Sequence, residues 1–134
     1  MNIYIAGPMS YRPKFNYPLF DKVAAELREK GFDVTSPAEL DNEEYRAQAM
    51  RSRKGIPGKM PDTWGDCLAR DVKLIADGGV TAICLLPEWE TSKGARLEAF
   101  IAVDLGLEVF TYDNGEVIGR DNTFIMETLY HVLR

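Results

Sequence analysis

"VTAICLLPEWETSKGARLEAFIAVDLGLEVF", Val80 to Phe110, decides the fold. Val80 to Leu86 is the most apolar run of the chain and stops at Pro87, the pattern of a strand buried on both faces. From Lys93 onward, Gly94, Ala95, Glu98, Ala102 and Leu105 fall on one side at about 100° per residue, which marks a helix. Glu108 opens a further strand that runs to Tyr112. Strand, helix and strand in this succession form a crossover unit, and the two strands it joins lie parallel.

The flanking sequence repeats the alternation. Asn2 to Ala6 is a short apolar strand ending at Gly7-Pro8, and Tyr17 to Lys30 carries Leu19, Phe20, Val23, Ala24 and Leu27 at helical spacing. Asn16 is the expected cap of that helix, Pro18 sits in its tolerant first turn and Gly31 stops it. Phe32 to Thr35 reads as a second strand. Thr63 to Ala76 reads as a helix opened by a capping box of Thr63 and Asp66. Between them, residues 36–62 show no clean period beyond a helical turn or two at Glu43 to Met50. Their end, "RSRKGIPGKMPD", is rich in Gly, Pro and positive charge, including Arg51, Arg53, Lys54 and Lys59. An irregular insertion of this length suits a lid or binding loop. "YDNGE" marks a turn and Asp121 to Leu133 a last helix. The pattern predicts one α/β domain over residues 1–134. Its expected form is a three-layer sandwich around a mainly parallel sheet of four or five strands, flavodoxin- or Rossmann-like, with ligands bound beyond the carboxyl ends of the strands.

A chain of 134 residues, 46% apolar and 28% charged, has the composition of a soluble globular domain with a real core. Its net charge of -5 argues against a partner made of polymeric nucleic acid, which would call for a basic footprint. Cys67 and Cys84 lack metal-ligand spacing and His131 is the one histidine, so a zinc site is not expected and both thiols read as reduced and packed. No run is long enough to cross a bilayer and the start does not read as a leader, so the expected place is the cytoplasm, away from membranes. Neither GxGxxG nor GxxxxGK[ST] occurs, and no cofactor is expected.

Two carboxylates break the apolar pattern. Glu98 lies with Ala95, Leu105 and Ala102 on the sheet-facing side of its helix, while Arg96, Lys93 and Asp104 take the other side. In the preceding helix Asp71 lies among Cys67, Trp64, Ile75 and Leu68, with Lys73, Arg70 and Asp66 opposite. A buried carboxylate is costly without a partner or a purpose, and two of them beside glycines at strand ends point to a site. Gly7, Pro8 and Met9 after the first strand, and Ser92, Lys93 and Gly94 at a helix start, are expected to line it, with backbone N–H groups there suited to an anion. Two carboxylates without metal ligands or a Ser-His pair suit chemistry at a sugar's anomeric carbon: one attacks to form a glycosyl ester, the other protonates the leaving group.

"NIYIAGPMS", "DVKLIADGGVTAICLLPEW" and "SKGARLEAFIAVDLGLEVF" resemble the nucleoside 2-deoxyribosyltransferase superfamily. They resemble in particular a short branch of unassigned phage and bacterial proteins related to deoxynucleoside 5'-monophosphate N-glycosidases. The resemblance covers most of the chain apart from residues 36–62 and the last helix. It implies that Glu98, four residues past Gly94, is the nucleophile, that Asp71 is the acid and that Tyr4 steadies Glu98. By the same resemblance Ser92, six residues before Glu98, holds a 5'-phosphate. The first loop lacks the further glycine or arginine that some nucleotide hydrolases carry there. Trp89 and Trp64 each offer a flat surface for a base, and Trp89 is taken as the candidate; both also read as packing residues, Trp64 especially because it falls on the apolar side of its helix. Phe100 faces outward, and the resemblance implies a homodimer or larger homo-oligomer built through nearby helices.

The expected activity is cleavage or transfer of the N-glycosidic bond of a 2'-deoxyribonucleotide or deoxyribonucleoside. A binding module that sequesters a nucleotide on the same fold is the alternative. A phosphoribohydrolase ranks last, because "PEWETSKGA" stands where that group has PGGxGT.

Overall fold

The computed structural model describes residues 1–57 and 62–133. Five strands, β1 (Asn2–Ala6), β2 (Asp33–Thr35), β3 (Ala82–Leu85), β4 (Glu108–Asp113) and β5 (Glu116–Arg120), form one sheet in the order β2-β1-β3-β4-β5. The first four are parallel and β5 runs antiparallel to β4. Among the described residues five α-helices accompany them: α1 (Tyr17–Glu29), α2 (Glu43–Arg51), α3 (Trp64–Asp77), α4 (Lys93–Asp104) and α5 (Asn122–Leu133).

The period of two along the strands separates two cores. Ile3, Ile5, Ala82 and Cys84 face one way and pack on Phe20, Val23, Ala24 and Leu27 of α1. Tyr4, Ala6, Ile83 and Leu85 face the other way, toward Ile75 of α3, Ala95, Ala99 and Ala102 of α4, and Ile125 and Leu129 of α5. The result is an α/β three-layer sandwich. β1 hands the chain through α1 to β2 on one side, and β3 hands it through α4 to β4 on the other. The crevice where strand order reverses therefore opens above β1 and β3.

The Thr63–Asp66 capping box forms as expected. Asn16 does not cap α1: its backbone is left-handed (φ 61°) and its side-chain amide instead donates to the carbonyl of Pro8 at 2.9 Å. Residues 36–62 hold more structure than expected. Pro37–Glu39 forms a short 3-10 turn, and α2 is a nine-residue helix started by Asn42, whose side chain accepts from the Tyr45 N–H at 2.8 Å. β5 escaped the sequence reading. "YDNGE" is the tip of a β4–β5 hairpin, with Asn114 and Gly115 both at positive φ, as a tight two-residue turn requires. Of the basic residues, Arg51, Arg53 and Lys54 are exposed, and Lys59 lies outside the described residues.

Gly7 is set by packing between β1 and β3. A Cβ there would lie 2.7 Å from the Cβ of Leu86, an atom that cannot swing aside. Gly7→Ala is expected to lower stability by about 1–3 kcal/mol through overcrowding, read as a shift of the urea midpoint at unchanged slope. An unchanged midpoint would mean that the two strands separate freely at this point.

Candidate active site

Tyr4 is fully buried on β1 and points toward α4, where its hydroxyl donates to Glu98 Oε2. Glu98 sits in the second turn of α4 and is 6% exposed, and Asp71 on α3 is 9% exposed. Both carboxyls are therefore buried, as the helical spacing requires. Burial pushes Glu98 up to about 8, with the Asp71 charge adding to the rise and the Tyr4 hydroxyl and Arg70 opposing it. Burial also raises Asp71, but the Arg70 guanidinium beside it and the Tyr4 hydroxyl pull the other way. Two like charges in one low-dielectric place do not both ionise readily. The pair thus resists carrying two charges near neutral pH. Tyr4 is raised by its own burial and by these two neighbours and stays a donor.

The two carboxyls form the floor of a cleft over the carboxyl ends of β1 and β3. Gly7 and Met9, Tyr17 and Pro37, Asp41 and Tyr45, Trp64 and Cys67, and Ser92 and Gly94 stand around it. Its cavity volume is about 100 Å³, within about 740 Å³ of open space when the part continuous with solvent is counted. Ser92 caps α4 by accepting from the Ala95 N–H at 3.2 Å, and Ser92, Gly94 and Ala95 at this helix start line the cleft. A side chain at Gly94 would make only ordinary contact with the Trp64 ring, so the space over this backbone is open.

Residues 1–111 match the family described as Domain of unknown function (DUF4406). The chain belongs to the DUF4406 family. Tyr4, Asp41, Arg70, Asp71 and Glu98 all lie inside the matched stretch of this DUF4406 domain, whereas β5 and α5 lie beyond it. No curated protein and no solved structure matches the chain.

The fold brings Glu98, Asp71, Gly7, Met9, Ser92 and Gly94 of the DUF4406 domain to one cleft, with Tyr4 directly behind Glu98. Pro8 and Lys93 line the adjoining groove, which shares Ser92 and Gly94 with the cleft and opens past Arg12. Trp89 is corrected: it is 5% exposed, packs in the α4 core and lines neither. Trp64 takes the opposite correction, since it is 45% exposed and stands on the cleft wall. At the first position of α3 its ring overhangs the mouth and is not drawn under the helix. Cys84 is buried as expected, but Cys67 is half-buried on the cleft wall, with its sulfur 3.9 Å from the Tyr45 hydroxyl.

Arg70 is the main residue of the DUF4406 cleft that sequence reasoning missed. Helical spacing puts its Cα on the outer side of α3, yet its long side chain returns over the edge. Nε donates to Asp71 Oδ1 at 3.0 Å and a terminal nitrogen donates to Asp41 Oδ1 at 2.7 Å. The second oxygen of Asp41 accepts from the Tyr17 hydroxyl. Asp41, Tyr17 and Tyr45 carried no periodic signal, because the first and last belong to the aperiodic stretch and Tyr17 reads as the plain start of a helix. Their one visible mark is the Tyr/Asp content of a segment next to a strand end. Among the described residues, no three His, Cys, Asp or Glu side chains are placed to share a metal ion.

Proposed function

We propose that the protein cleaves or transfers the N-glycosidic bond of a 2'-deoxyribonucleotide or deoxyribonucleoside through a covalent deoxyribosyl ester on Glu98. The observation that carries this reading is the buried Glu98 carboxyl on the cleft floor, gripped at one oxygen by Tyr4 and faced by Asp71. A pure binding surface gains nothing from burying two carboxyls together, whereas a reaction that builds positive charge on a sugar ring does. The resemblance to nucleoside 2-deoxyribosyltransferases supplies the substrate class.

In the first step the bond from C1' to the base nitrogen breaks, and its electron pair leaves with the base. In the reacting form the proton that the carboxyl pair retains stands on Asp71 and Glu98 is the carboxylate; the Tyr4 hydroxyl is within reach of both, and the proton passes from Asp71 to the departing base. The Glu98 oxygen that Tyr4 does not hold forms the ester to C1'. Water or a second base then attacks C1', the ester bond breaks and Glu98 is restored. Ser92 and the first amides of α4 suit a 5'-phosphate at the cleft mouth. The half-buried and buried free thiols, Cys67 and Cys84, fit action in the cytoplasm. Among the described residues no helix is long and apolar enough to cross a membrane.

The test is incubation with a panel of deoxynucleoside monophosphates and free deoxynucleosides, with and without a second base, followed by mass spectrometry of small molecules and intact protein. Free or exchanged base with a sugar adduct on Glu98 supports the proposal. Retained ligand without turnover moves the protein to a nucleotide-binding module.

A homodimer belongs to the same reading. Leu97 and Phe100 of α4 and Met126 and Leu133 of α5 are each more than two-fifths exposed along one groove, an apolar face of the kind that subunits cover. Light scattering is expected to give twice the chain mass for the wild type and a monomer for Phe100→Glu. A monomeric wild type removes this part.

A further inference from the structure

Among the described residues four carboxyls, Asp41, Asp62, Asp71 and Glu98, line the cleft, with Arg70 as the guanidinium between Asp41 and Asp71. Arg70 uses two edges of its planar fork, one on each aspartate, and so joins α3 to the segment that follows β2. Asp41 is a fixed partner and not a passing one. Its side chain is 5% exposed, and its second oxygen is taken by Tyr17 of α1. Tyr17 is in turn covered by the Arg46 guanidinium at 5.2 Å from its ring centre, and Arg46 is tied to Asp21 at 2.7 Å and to the carbonyl of Ala38. The grip on Arg70 is thus anchored through α1 and α2.

We propose that Arg70 is the positioning residue of the Asp71–Glu98 pair, and that Asp41 divides its charge, so that residues 36–57 govern the orientation and charge balance of Asp71. Its catalytic consequence rests on the glycosidic reading above; the geometry does not. One positive charge shared between two buried carboxylates serves each less than it would serve one alone, and low polarity enlarges the difference. Asp41 competes with Asp71 for Arg70, and the competition is set by a segment that contributes no atom to the carboxylate pair.

The groups that face Asp71 are few. Arg70 and Cys67 come from its own helix, Tyr4 from β1, Glu98 from α4 and Asp41 from the segment before α2. Tyr17 and Tyr45 stand behind Asp41, and Asp62 sits at the cleft wall. Among the described residues Arg70 is the one cation in this set, so its loss and the loss of Asp41 are expected to act in opposite senses.

Carboxyl 13C shifts of Asp71 and Glu98, followed across pH in the full-length chain, read this without any substrate. Arg70→Gln is expected to move the titration of the pair to higher pH by about one unit or more. Asp41→Asn is expected to move it to lower pH, because Arg70 then turns wholly to Asp71. Arg70→Lys, which keeps the charge and covers the case of an unfolded glutamine variant, is expected to stay nearer the wild type. With a turned-over deoxynucleotide, both limbs of the pH profile of base release should follow the same displacements. Titrations that stay put in all variants, or that move the same way in Arg70→Gln and Asp41→Asn, overturn the proposal. Absence of base release in every variant overturns the glycosidic reading alone, and the carboxyl titrations still decide the role of Arg70.

Discussion

Glu98→Gln is expected to abolish base release and the sugar adduct, and at pH 9 to be more stable than the wild type. The kinetic loss follows from removing the atom that forms the ester, and a drop of at least about 10³-fold is the ordinary size for a lost nucleophile. The gain in stability follows from linkage. Glu98 is raised to about 8 in the folded chain from an ordinary value of 4.5. Its contribution to stability is therefore fully present below the ordinary carboxyl range and is lost as pH rises through about 8. At pH 9 the wild type keeps an ionised carboxyl out of water, and each unit of the shift corresponds to about 1.4 kcal/mol. Glutamine has nearly the same shape and no charge. After allowing about 1 kcal/mol for a weaker bond from Tyr4, the variant should be more stable by about 2–4 kcal/mol at pH 9. Near pH 5 the advantage should disappear. Urea unfolding of both proteins at the two pH values checks this; equal differences at pH 5 and pH 9 would show that Glu98 does not titrate where its burial puts it.

Asp71→Asn tests the other half of the pair. For a natural base, which leaves poorly without a proton, base release should fall about 10²–10⁴-fold. For a deoxyriboside whose leaving group is already a stable anion, the same variant should lose little, because no proton is needed. Removing the Asp71 charge also takes away a cause of the raised Glu98 value, so ester formation with that substrate should begin at lower pH than in the wild type. Rates plotted against leaving-group acidity for both proteins give the comparison. Equal slowing of good and poor leaving groups would make Asp71 a positioning group and not the proton donor.

What could be read from the sequence was what repeats. The alternation of apolar strands with helical spacing gave the parallel sheet, and the same spacing exposed Glu98 and Asp71 as carboxylates on buried faces. β5 was missed because Glu116 to Arg120 is half-exposed, short and crossed by Gly119, so it owes its strand form to pairing with β4 and not to a pattern of its own. Arg70 was misread because a helical wheel locates Cα atoms, and a long guanidinium reaches round to a partner on the far side. Asp41 and Tyr17 had no periodic signal: their role exists only once α1, α3 and the segment before α2 are in contact.

The register of the central strands has a consequence for how the molecule comes into being. Ile3 pairs with Ala82 and Ala6 with Leu85, so the first strand, whose other edge takes β2 early, waits for nearly eighty intervening residues before β3 exists. Closing so long a loop is slow relative to local helix formation, and during synthesis β1 spends that interval with its β3 edge unpaired. Positions 4, 41, 71 and 98 meet only after this closure, so the carboxylate cluster is a late product of folding. No amino-terminal fragment ending before β3 can hold it.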